Sequence, residues 1–459
     1  MRRPRHRVSG VVVVMGVLGL WRSVLAAEAP ASPGGRPESA AVPGLDGRVP
    51  PPPPRDLALA RGLLAPLRAA AWLVSTPVDA AVGFVERHEL PAHAYELLTS
   101  DDRLVGVRPS VRYESGFALA GGVHFFDRRS LGPGSFLGLN LGGGPRSFDT
   151  TFALSPPGRT GLRLSAWACW QGDALFGGLT GQSTQALRDE GFDLARYQVH
   201  GRGVGVGWRW PLAGGLRTRT GVDLHDRRYA NGLTDGPQQI LNVYCPPGQE
   251  NRCALGGDVV PGFARGLTVL QGRGELALDT RRDPRFGSGW LGALEGVGTL
   301  GVAGDPSRHA KVQVGFGRVL TFGHHGLDLR VQAGALWRLG TAPIPFEELL
   351  SPSGPRGLRG LRSGRLRGPT ALVATVQYRW LLAPWMDALL FVDKGNAFRE
   401  NFENLSWAQT FTSYGLSFQL VERARSEGAE RNVPSLAFTW AYTPGEGMRY
   451  AVVSNVTAW

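Results

Sequence analysis

From residue 104 to the C-terminus, apolar and polar side chains alternate with a period of two in segment after segment. Within 372–380, for example, Leu372, Val376 and Trp380 share one face, whereas Gln377 and Arg379 lie on the other. This period is that of a β-strand, whose successive side chains point to opposite faces. The 65 glycines and 33 prolines in 459 residues add frequent turn signals. The pattern therefore predicts an all-β chain.

Sixteen segments show this pattern, and the even number suits antiparallel strands that close into a barrel. Longer connections follow strands 5, 7, 9, 11 and 13, including 227–266 and 339–369, and the links after even-numbered strands are mostly short. The predicted strands are 104–113, 117–126, 134–142, 146–154, 161–171, 196–210, 216–226, 267–279, 288–300, 310–322, 326–338, 370–381, 387–398, 411–422, 435–443 and 449–458.

The apolar faces of these strands carry aromatic residues near the strand ends, and the opposite faces carry Gly, Arg, Asp, Glu and Gln. Such strands suit a transmembrane barrel with lipid outside and a polar lumen. The alternative is a large soluble β-protein with an inward apolar face. We expect a 16-stranded antiparallel transmembrane β-barrel over 104–459. The aromatic residues are Trp208, Trp210, Trp337, Tyr378, Trp380, Trp440 and Tyr442.

The first 103 residues divide into three parts by composition. Residues 1–27 combine a basic start, a thirteen-residue apolar stretch and small residues, which is the build of a secretory signal peptide. Residues 28–55 are rich in Pro, Ala, Gly and Ser and are predicted to form a linker. Residues 56–103 predict short helices, either an amphipathic or plug element at the membrane or a packed helical hairpin.

Composition and motifs argue against nucleic-acid binding, cofactors and enzymatic chemistry. The formal charge is +12, but five of the fifty cationic residues lie within the first 22 positions, and no clustered basic face is evident. The nine histidines are scattered, and His324 and His325 are predicted to be solvated in a short turn. Glycines at every second position of 201–207 fit close packing in the lumen better than a phosphate loop. No metal site is expected.

The three cysteines do not form a dense disulfide scaffold. Cys245 and Cys253 flank a Pro-Pro-Gly turn in a connection of an exported chain, so a local disulfide is expected. Two free loop thiols are the alternative. Cys169 is predicted to stay free in its strand.

Four stretches resemble motifs of a known family, the bacterial surface antigen barrels typified by BamA and TamA and by two-partner secretion translocators. The first contains Asp279, Arg281 and Asp283 before the ninth strand, and the second runs from 345 to 348 into Arg359-Gly360. The others are Val376-Gln377-Tyr378-Arg379 and the strand around Phe391, Asp393 and Gly395. Their order and spacing match the family.

The resemblance implies an outer-membrane barrel with a sixth loop folded into its lumen. The chain departs from the family pattern in three ways. Leu361 stands where an aromatic residue usually follows Arg-Gly, and Gln377 stands where an acidic residue is common. The family's insertases and translocators also carry periplasmic domains that recognise client polypeptide, and residues 56–103 lack their pattern. The barrel is thus implied more strongly than the insertase activity.

The resemblance implies a contact between that loop and inward-facing residues of the barrel wall. Asp393 shares the inward face of its strand with Phe391 and Gly395, and Gln377 and Arg379 share the inward face of the neighbouring strand. The resemblance favours docking of Arg359 on Asp393, since a guanidinium can bind a carboxylate bidentately while stacking on Phe391. The alternative is that the five arginines of 339–369 lie on a solvated external loop.

Two functions follow from this sequence, neither of them enzymatic. The first is assembly, insertion or translocation of polypeptide or lipid in the bacterial outer membrane, through a weak seam between strands 1 and 16. Strand 1 contains Pro109, which cannot donate a ladder hydrogen bond, and Ser454 and Asn455 interrupt strand 16. Its partners would be outer-membrane lipid, unfolded outer-membrane protein clients and periplasmic assembly proteins. The second is a structural barrel or passive pore gated by loop 339–369.

Overall fold

The computed structural model describes residues 97–100, 104–132, 134–157, 161–178, 194–212, 215–234, 239–244, 260–283, 285–403, 405–426 and 429–454. The predicted signal peptide, linker and nearly all of the helical segment lie outside these residues. Cys245, Cys253, Asn455 and Trp459 lie outside them as well.

Sixteen antiparallel strands close into one barrel, in which each strand pairs with its neighbours in sequence and β1 pairs with β16. The strands are β1 Val105–Glu114, β2 Ala120–Asp127, β3 Phe136–Gly144, β4 Ser147–Ser155, β5 Leu162–Phe176, β6 Ala195–Pro211, β7 Leu216–Asn231, β8 Leu267–Asp279, β9 Gly289–Gly301, β10 Arg308–Phe322, β11 His325–Arg338, β12 Thr370–Ala383, β13 Met386–Phe398, β14 Phe411–Ser426, β15 Ala429–Thr443 and β16 Gly447–Ser454. The described parts of the connections contain a short helix, α1 (Ile240–Tyr244), and 3₁₀ turns at Phe346–Glu348, Glu400–Phe402 and Trp407–Gln409.

The predicted closed barrel of sixteen strands is confirmed, and the strand ends differ where the alternation breaks down. β5 continues to Phe176, because its last residues are buried on both faces and so carry no period-two signal. They pack with Tyr197, Ile240, Phe263 and Phe346 in an apolar cluster. β15 begins at Ala429 and therefore includes Pro434. Proline has no backbone N–H to donate, which is tolerated here because the register with β14 shifts between Leu420 and Val421.

The two faces of the strands differ as the sequence predicts. In β13, Val392 on the outer face is 45% exposed, whereas Asp393 on the inner face is fully buried. Tyr378 and Trp380 point outward but are buried against their neighbours. The prediction that His325 is solvated in a turn was wrong, because His325 is the first residue of β11. Its ring stacks on that of Tyr378, and its Nδ1 lies 2.8 Å from the Tyr378 hydroxyl.

The connections give the barrel two different ends. The connections 323–324 and 384–385 lie at one end, which we call the short-turn end. The connection 339–369 lies at the other, the long-loop end, where β5 ends at Phe176 and β7 ends at Asn231. The expected long loop after β9 is only 302–307, because Ala303 and Gly304 turn the chain with φ of 53° and 86°.

The barrel closes through a short seam. Between β1 and β16 the described register runs only from Arg112↔Val453 to Glu114↔Ala451, whereas β10 and β11 pair from His309↔Arg338 to Phe322↔His325. The Ser454 hydroxyl accepts a hydrogen bond from the Val111 amide at 3.2 Å. The described seam is therefore much shorter than an ordinary strand pair of this barrel.

Candidate functional site: the inner loop and its anchors on the barrel wall

The connection between β11 and β12, residues 339–369, turns back into the lumen, and we call it the inner loop. Leu350 exchanges backbone hydrogen bonds with Gly368, so the loop closes on itself at its base. Gly354 and Gly364 adopt φ of 107° and 82°, the left-handed region that suits glycine at a turn. The loop thus has a defined shape, and its side chains reach several strands.

Arg359 of the inner loop meets Asp393 of β13 in a two-pronged ion pair. Its Nε donates to Oδ2 at 2.8 Å and its Nη2 donates to Oδ1 at 2.7 Å, while its backbone amide lies 3.2 Å from Oδ2. The guanidinium carbon lies 3.4 Å from the centre of the Phe391 ring. The remaining contacts come from β12, where Gln377 accepts a hydrogen bond at 2.8 Å and Thr375 donates one to Asp393 at 2.9 Å. The fork geometry of arginine therefore satisfies a fully buried carboxylate.

Gly360 explains why a glycine follows Arg359. A Cβ at this position would lie 2.2 Å from the Thr443 hydroxyl and 2.9 Å from that of Ser413, so only glycine fits against β14 and β15. Leu361, which replaces an aromatic residue of the family pattern, is buried with Leu358 and other apolar residues of the loop and wall. Gly395 is equally constrained, since its Cβ would lie 2.2 Å from the Leu372 carbonyl oxygen.

A second anchor holds the loop on the opposite wall through Glu347 and Glu348. Arg227 of β7 lies 3.4 Å from Glu347 and 3.5 Å from Glu348, and Gln271 of β8 donates to Glu348 at 3.0 Å. His309 of β10 lies 3.4 Å from the Glu348 carboxylate. Burial alone would raise the pKa of Glu348, but the hydrogen bond from His309 and the charge of Arg227 outweigh burial and lower the pKa to about 2.

Arg367 completes this second anchor from the far end of the loop. Its Nη2 donates to the Tyr197 hydroxyl at 3.0 Å and to Glu347 at 3.1 Å, and Tyr197 also hydrogen-bonds Glu347. The ring of Phe346 lies 5.1 Å from that of Tyr197 and 5.2 Å from that of Phe176. Charged and aromatic contacts therefore fix the same turn of the loop to β5, β6 and β7.

Two further contacts tie the loop to both sides of the seam. Ser363 donates from its hydroxyl to Glu114 at the end of β1 at 2.7 Å. Arg365 pairs at 3.1 Å with Glu446, which lies in the turn that leads into β16. The inner loop is thus in contact with the last residue of β1 and with the turn just before β16.

At the short-turn end, the strand-to-turn motif forms its own ion pairs. Asp279 accepts from Arg281 through both oxygens at 2.9 Å, and Asp283 accepts the backbone amide of Arg285 at 2.7 Å. Arg285 then reaches across to Asp387 of β13, with Nη2–Oδ1 at 2.8 Å. Arg379 lies 3.8 Å from Asp387 and also donates to the Arg285 carbonyl oxygen.

The structure thus brings together Arg359, Gln377, Phe391 and Asp393, but it places Arg379 in the separate pair at the short-turn end. The alternative of a solvated arginine loop is wrong, because Arg359, Arg365 and Arg367 all contact the wall and only Arg356 of the five is exposed. Sequence reasoning did not single out Arg285 or the anchoring role of Glu347 and Glu348. Glu347 and Glu348 belong to the family-like stretch 345–348, so that stretch could have pointed to them. Arg285 lies two residues after Asp283 of the strand-to-turn motif.

Two kinds of feature are absent from the described residues. In that part of the chain, no group of three or more His, Cys, Asp or Glu side chains is placed to hold a metal ion. No helix there is long and apolar enough to cross a membrane.

No protein-family model and no curated protein matches the sequence. Among solved structures, BamA from Haemophilus ducreyi lacking POTRA domains 1–3 is similar, with a TM-score of 0.50 and 15% identity over 76% of this chain and 70% of that one. CdiB from Escherichia coli has a TM-score of 0.45 at 15% identity, over 76% of this chain and 62% of that one. CdiB from Acinetobacter baumannii has a TM-score of 0.44 at 10% identity, over 78% and 64%. The likeness to BamA shows the fold, a closed β-barrel.

Proposed function

We propose that this chain spans the bacterial outer membrane and assists the assembly, insertion or translocation of polypeptide there, without covalent chemistry. The observation that carries the proposal is the short seam that the described residues form between β1 and β16, together with the contacts of the inner loop on both sides of it. Outer-membrane lipid surrounds the barrel, and unfolded outer-membrane proteins and periplasmic assembly proteins are its partners.

The outer face supports the membrane part of the proposal. Trp208, Trp210, Trp337 and Trp440 project from it and remain 38–43% exposed, as suits aromatic side chains at a membrane interface. The short-turn end faces the periplasm in this proposal, since outer-membrane barrels have short periplasmic turns and longer external loops.

The seam supplies a place where the wall can open. Opening it breaks the few described ladder bonds between β1 and β16, and each intramolecular hydrogen bond contributes only about 1 kcal/mol. The exposed strand edges would then be templates for pairing with another chain. Because Ser363 and Arg365 contact Glu114 and Glu446, movement of the inner loop would change the support on both sides of the seam.

Reconstitution into liposomes tests this function. The barrel should accelerate the folding of an unfolded outer-membrane protein into vesicles, and a disulfide between Arg112→Cys and Val453→Cys should abolish the acceleration until it is reduced. The matched control joins Val314→Cys to Ala333→Cys, which face each other on β10 and β11, and it should leave the activity unchanged. Equal activity with the seam locked and unlocked would refute the proposal.

A passive pore is the second candidate, and the glycine-lined inner face of β6 favours it. Gly201, Gly203, Gly205 and Gly207 add no side chains of their own to the lumen, and Trp167 and Asp223 of the neighbouring strands pack over the first three of them. In the same liposomes, a pore would conduct solutes without accelerating client insertion. Deletion of residues 346–367 of the inner loop would then increase the conductance.

A further inference from the structure

One arginine of β10 lies on the outer, apolar face of the barrel. Tyr378 of β12 points outward and lies opposite Leu327 of β11, which in turn lies opposite Leu320 of β10. The period of two then places Arg318 on the same outer face of β10, between Leu320 and Phe316. Phe316 and Leu320 are 43% and 38% exposed, as suits side chains that meet lipid. Arg318 is therefore a cation on a surface that the proposed function places in the membrane.

Arg318 stacks on an aromatic ring and does not form an ion pair with a described residue. Trp290 of β9 lies directly opposite Arg318, and the guanidinium carbon lies 4.5 Å from the centre of the Trp290 ring. The ring of Phe316 stacks on that of Trp290 at 5.1 Å, which holds the indole in place. The outer faces of β8, β9, β10 and β11, which the structure describes throughout, carry no Asp or Glu. Stacking occupies a face of the guanidinium and leaves donors at its edge for an acceptor from the surroundings.

This pair lies at the level where a membrane barrel meets the lipid head groups. Trp290 is the second residue of β9 and follows the turn from β8 at the short-turn end. Tryptophan is enriched at the membrane–water interface, and an arginine on the lipid face is tolerated far better there than at the midplane. At this level, the phosphate of a phospholipid is an acceptor that a guanidinium can bind bidentately.

A shallow hollow of four glycines lies deeper on the same outer face. Gly272 of β8 lies opposite Gly298 of β9, and Gly274 lies opposite Gly296. Gly296 and Trp290 are six residues apart on β9 and so point to the same side. A Cβ at any of the four glycines would meet no heavy atom within 4 Å. Two pairs of facing leucines close the hollow along the strands, and they are Leu276–Leu294 and Leu270–Leu300.

The depth of the hollow matches the end of an acyl chain. Six residues of β9 separate Trp290 from Gly296, which is about 20 Å along the strand. On a strand tilted by about 40°, this length covers a depth of about 15 Å. That depth is half of a hydrocarbon core about 30 Å thick. Glycine within a strand weakens the sheet and often marks a place where another group approaches closely, which an acyl chain would do here.

We propose that the outer face of β8, β9 and β10 binds one phospholipid of the leaflet at the short-turn end. Its phosphate binds the guanidinium of Arg318 beside Trp290, and the end of one acyl chain fills the glycine hollow. The site rests on the membrane part of the proposed function and does not depend on client insertion.

A phospholipid fits this face better than a second copy of the barrel. One lipid molecule supplies both the anion for Arg318 and the apolar chain for the hollow. A second barrel would have to bring a carboxylate to Arg318 from its own outer face. Asp226 of β7 is an outward-facing carboxylate, but it lies near the long-loop end and already pairs with Arg202 and Arg228.

Native mass spectrometry of the full chain in nonionic detergent micelles doped with dioleoyl phosphatidylglycerol tests the head-group contact. Arg318→Gln should weaken retention of this lipid by about tenfold, as expected when one charge-assisted contact is lost. Arg202→Gln is the matched control and should retain the lipid as the parent does, because Arg202 is an outward-facing arginine that pairs with Asp226 at 3.6 Å. Dioleoylglycerol, which lacks the phosphate, should bind the parent and Arg318→Gln equally weakly. Equal retention of phosphatidylglycerol by the parent and Arg318→Gln would overturn the site.

A second variant fills the hollow and leaves the charge alone. Gly274→Val with Gly296→Val adds side chains where the surface is open, so the barrel should still fold. It should weaken retention of dioleoyl phosphatidylglycerol but not of dihexanoyl phosphatidylglycerol, whose chains are too short to reach the hollow. Ala333→Val on the outer face of β11 adds apolar bulk elsewhere and is the matched control. A variant that retains both lipids as the parent does, or that changes only the oligomeric mass, would overturn the proposal.

Failure of this site and failure of the proposed function give different results. Faster gel migration of the unheated sample than of the boiled one verifies that each variant is folded. A parent chain that stays soluble without detergent and retains no lipid would refute the membrane location itself. A parent chain that retains lipid to the same extent as every variant would refute this site alone.

Discussion

Two aspartates on the inner face of β13 bind arginine in nearly the same way, yet they belong to different kinds of contact. Asp393 receives Arg359 from the 31-residue inner loop, and Asp387 receives Arg285 from the nine-residue turn between β8 and β9. A short turn held by a strand at each end cannot leave its partner, whereas a long connection can adopt other positions at little extra entropic cost. We call the Asp387–Arg285 pair the brace, because its turn cannot move away, and the Asp393–Arg359 pair the latch, because its loop can.

Their electrostatic surroundings differ as well. Asp387 interacts with two arginines, Arg285 and Arg379, and the Asp387 side chain is only 5% exposed. Asp393 interacts with one arginine, Arg359, which stacks on Phe391, and Asp393 also accepts a hydrogen bond from the neutral hydroxyl of Thr375. Removing the Asp387 carboxylate leaves two largely buried cations, Arg285 and Arg379, without it. Removing Arg359 or Asp393 leaves a single charge, which becomes accessible to water if the loop moves away.

The largest effect is expected at the brace. Asp387→Ala should lower the free energy of unfolding by about 3–5 kcal/mol, the cost of leaving buried charge without its partner. Arg285→Ala should cost clearly less, because Arg379 remains to neutralise Asp387. Urea unfolding followed by heat-dependent gel migration measures both. Equal losses in the two variants would show that Arg379 does not share the carboxylate.

The latch should respond differently. Arg359→Ala and Asp393→Ala should each cost about 2–4 kcal/mol, and the double variant should be little worse than either, since both remove one interaction. Arg356→Ala, an exposed arginine of the same loop, is the matched control and should change the free energy by less than about 0.5 kcal/mol. Fully additive losses at 359 and 393 would mean that the two residues act independently.

The sequence predicts the partner of Asp393 but not the partner of Asp387. The alternation in β13 places Asp393 inward with Phe391, and the family motifs supply Arg359 as its partner. Asp387 follows the same alternation, but its partner lies 102 positions earlier in the chain, in a turn that no periodicity describes. Strand faces are encoded locally, whereas a contact across the lumen depends on how the closed barrel brings distant turns together.

The latch can also be made covalent. The Arg359 backbone amide lies 3.2 Å from the Asp393 carboxylate, so Arg359→Cys with Asp393→Cys should cross-link on oxidation in a Cys169→Ser background. Peptide mapping identifies the bond, and the cross-linked loop should resist proteolysis longer than the reduced one. The control pair Arg356→Cys with Asp393→Cys should not cross-link. If Arg359→Cys with Asp393→Cys also gave no cross-link, residue 359 of the loop would not lie against Asp393.

The smallest effect concerns pH and the second anchor of the loop. The pKa of Glu348 lies at about 2 in the folded chain, below its ordinary value of 4.5. A carboxylate with a depressed pKa stabilises the folded state at pH above its unfolded pKa, and this stabilisation is lost as the pH falls from about 4.5 towards 2. The free energy of unfolding of the parent chain should therefore approach that of Glu348→Gln as the pH is lowered, by at most about 1.4 kcal/mol per pH unit.

Urea unfolding of the parent chain and of Glu348→Gln at pH 7, 4.5 and 3 measures this difference. The contributions of the other acidic groups are the same in both proteins and cancel. A difference that stays constant with pH would mean that Glu348 is not held as an anion by Arg227 and His309, and that the other contacts of the loop keep it in the lumen.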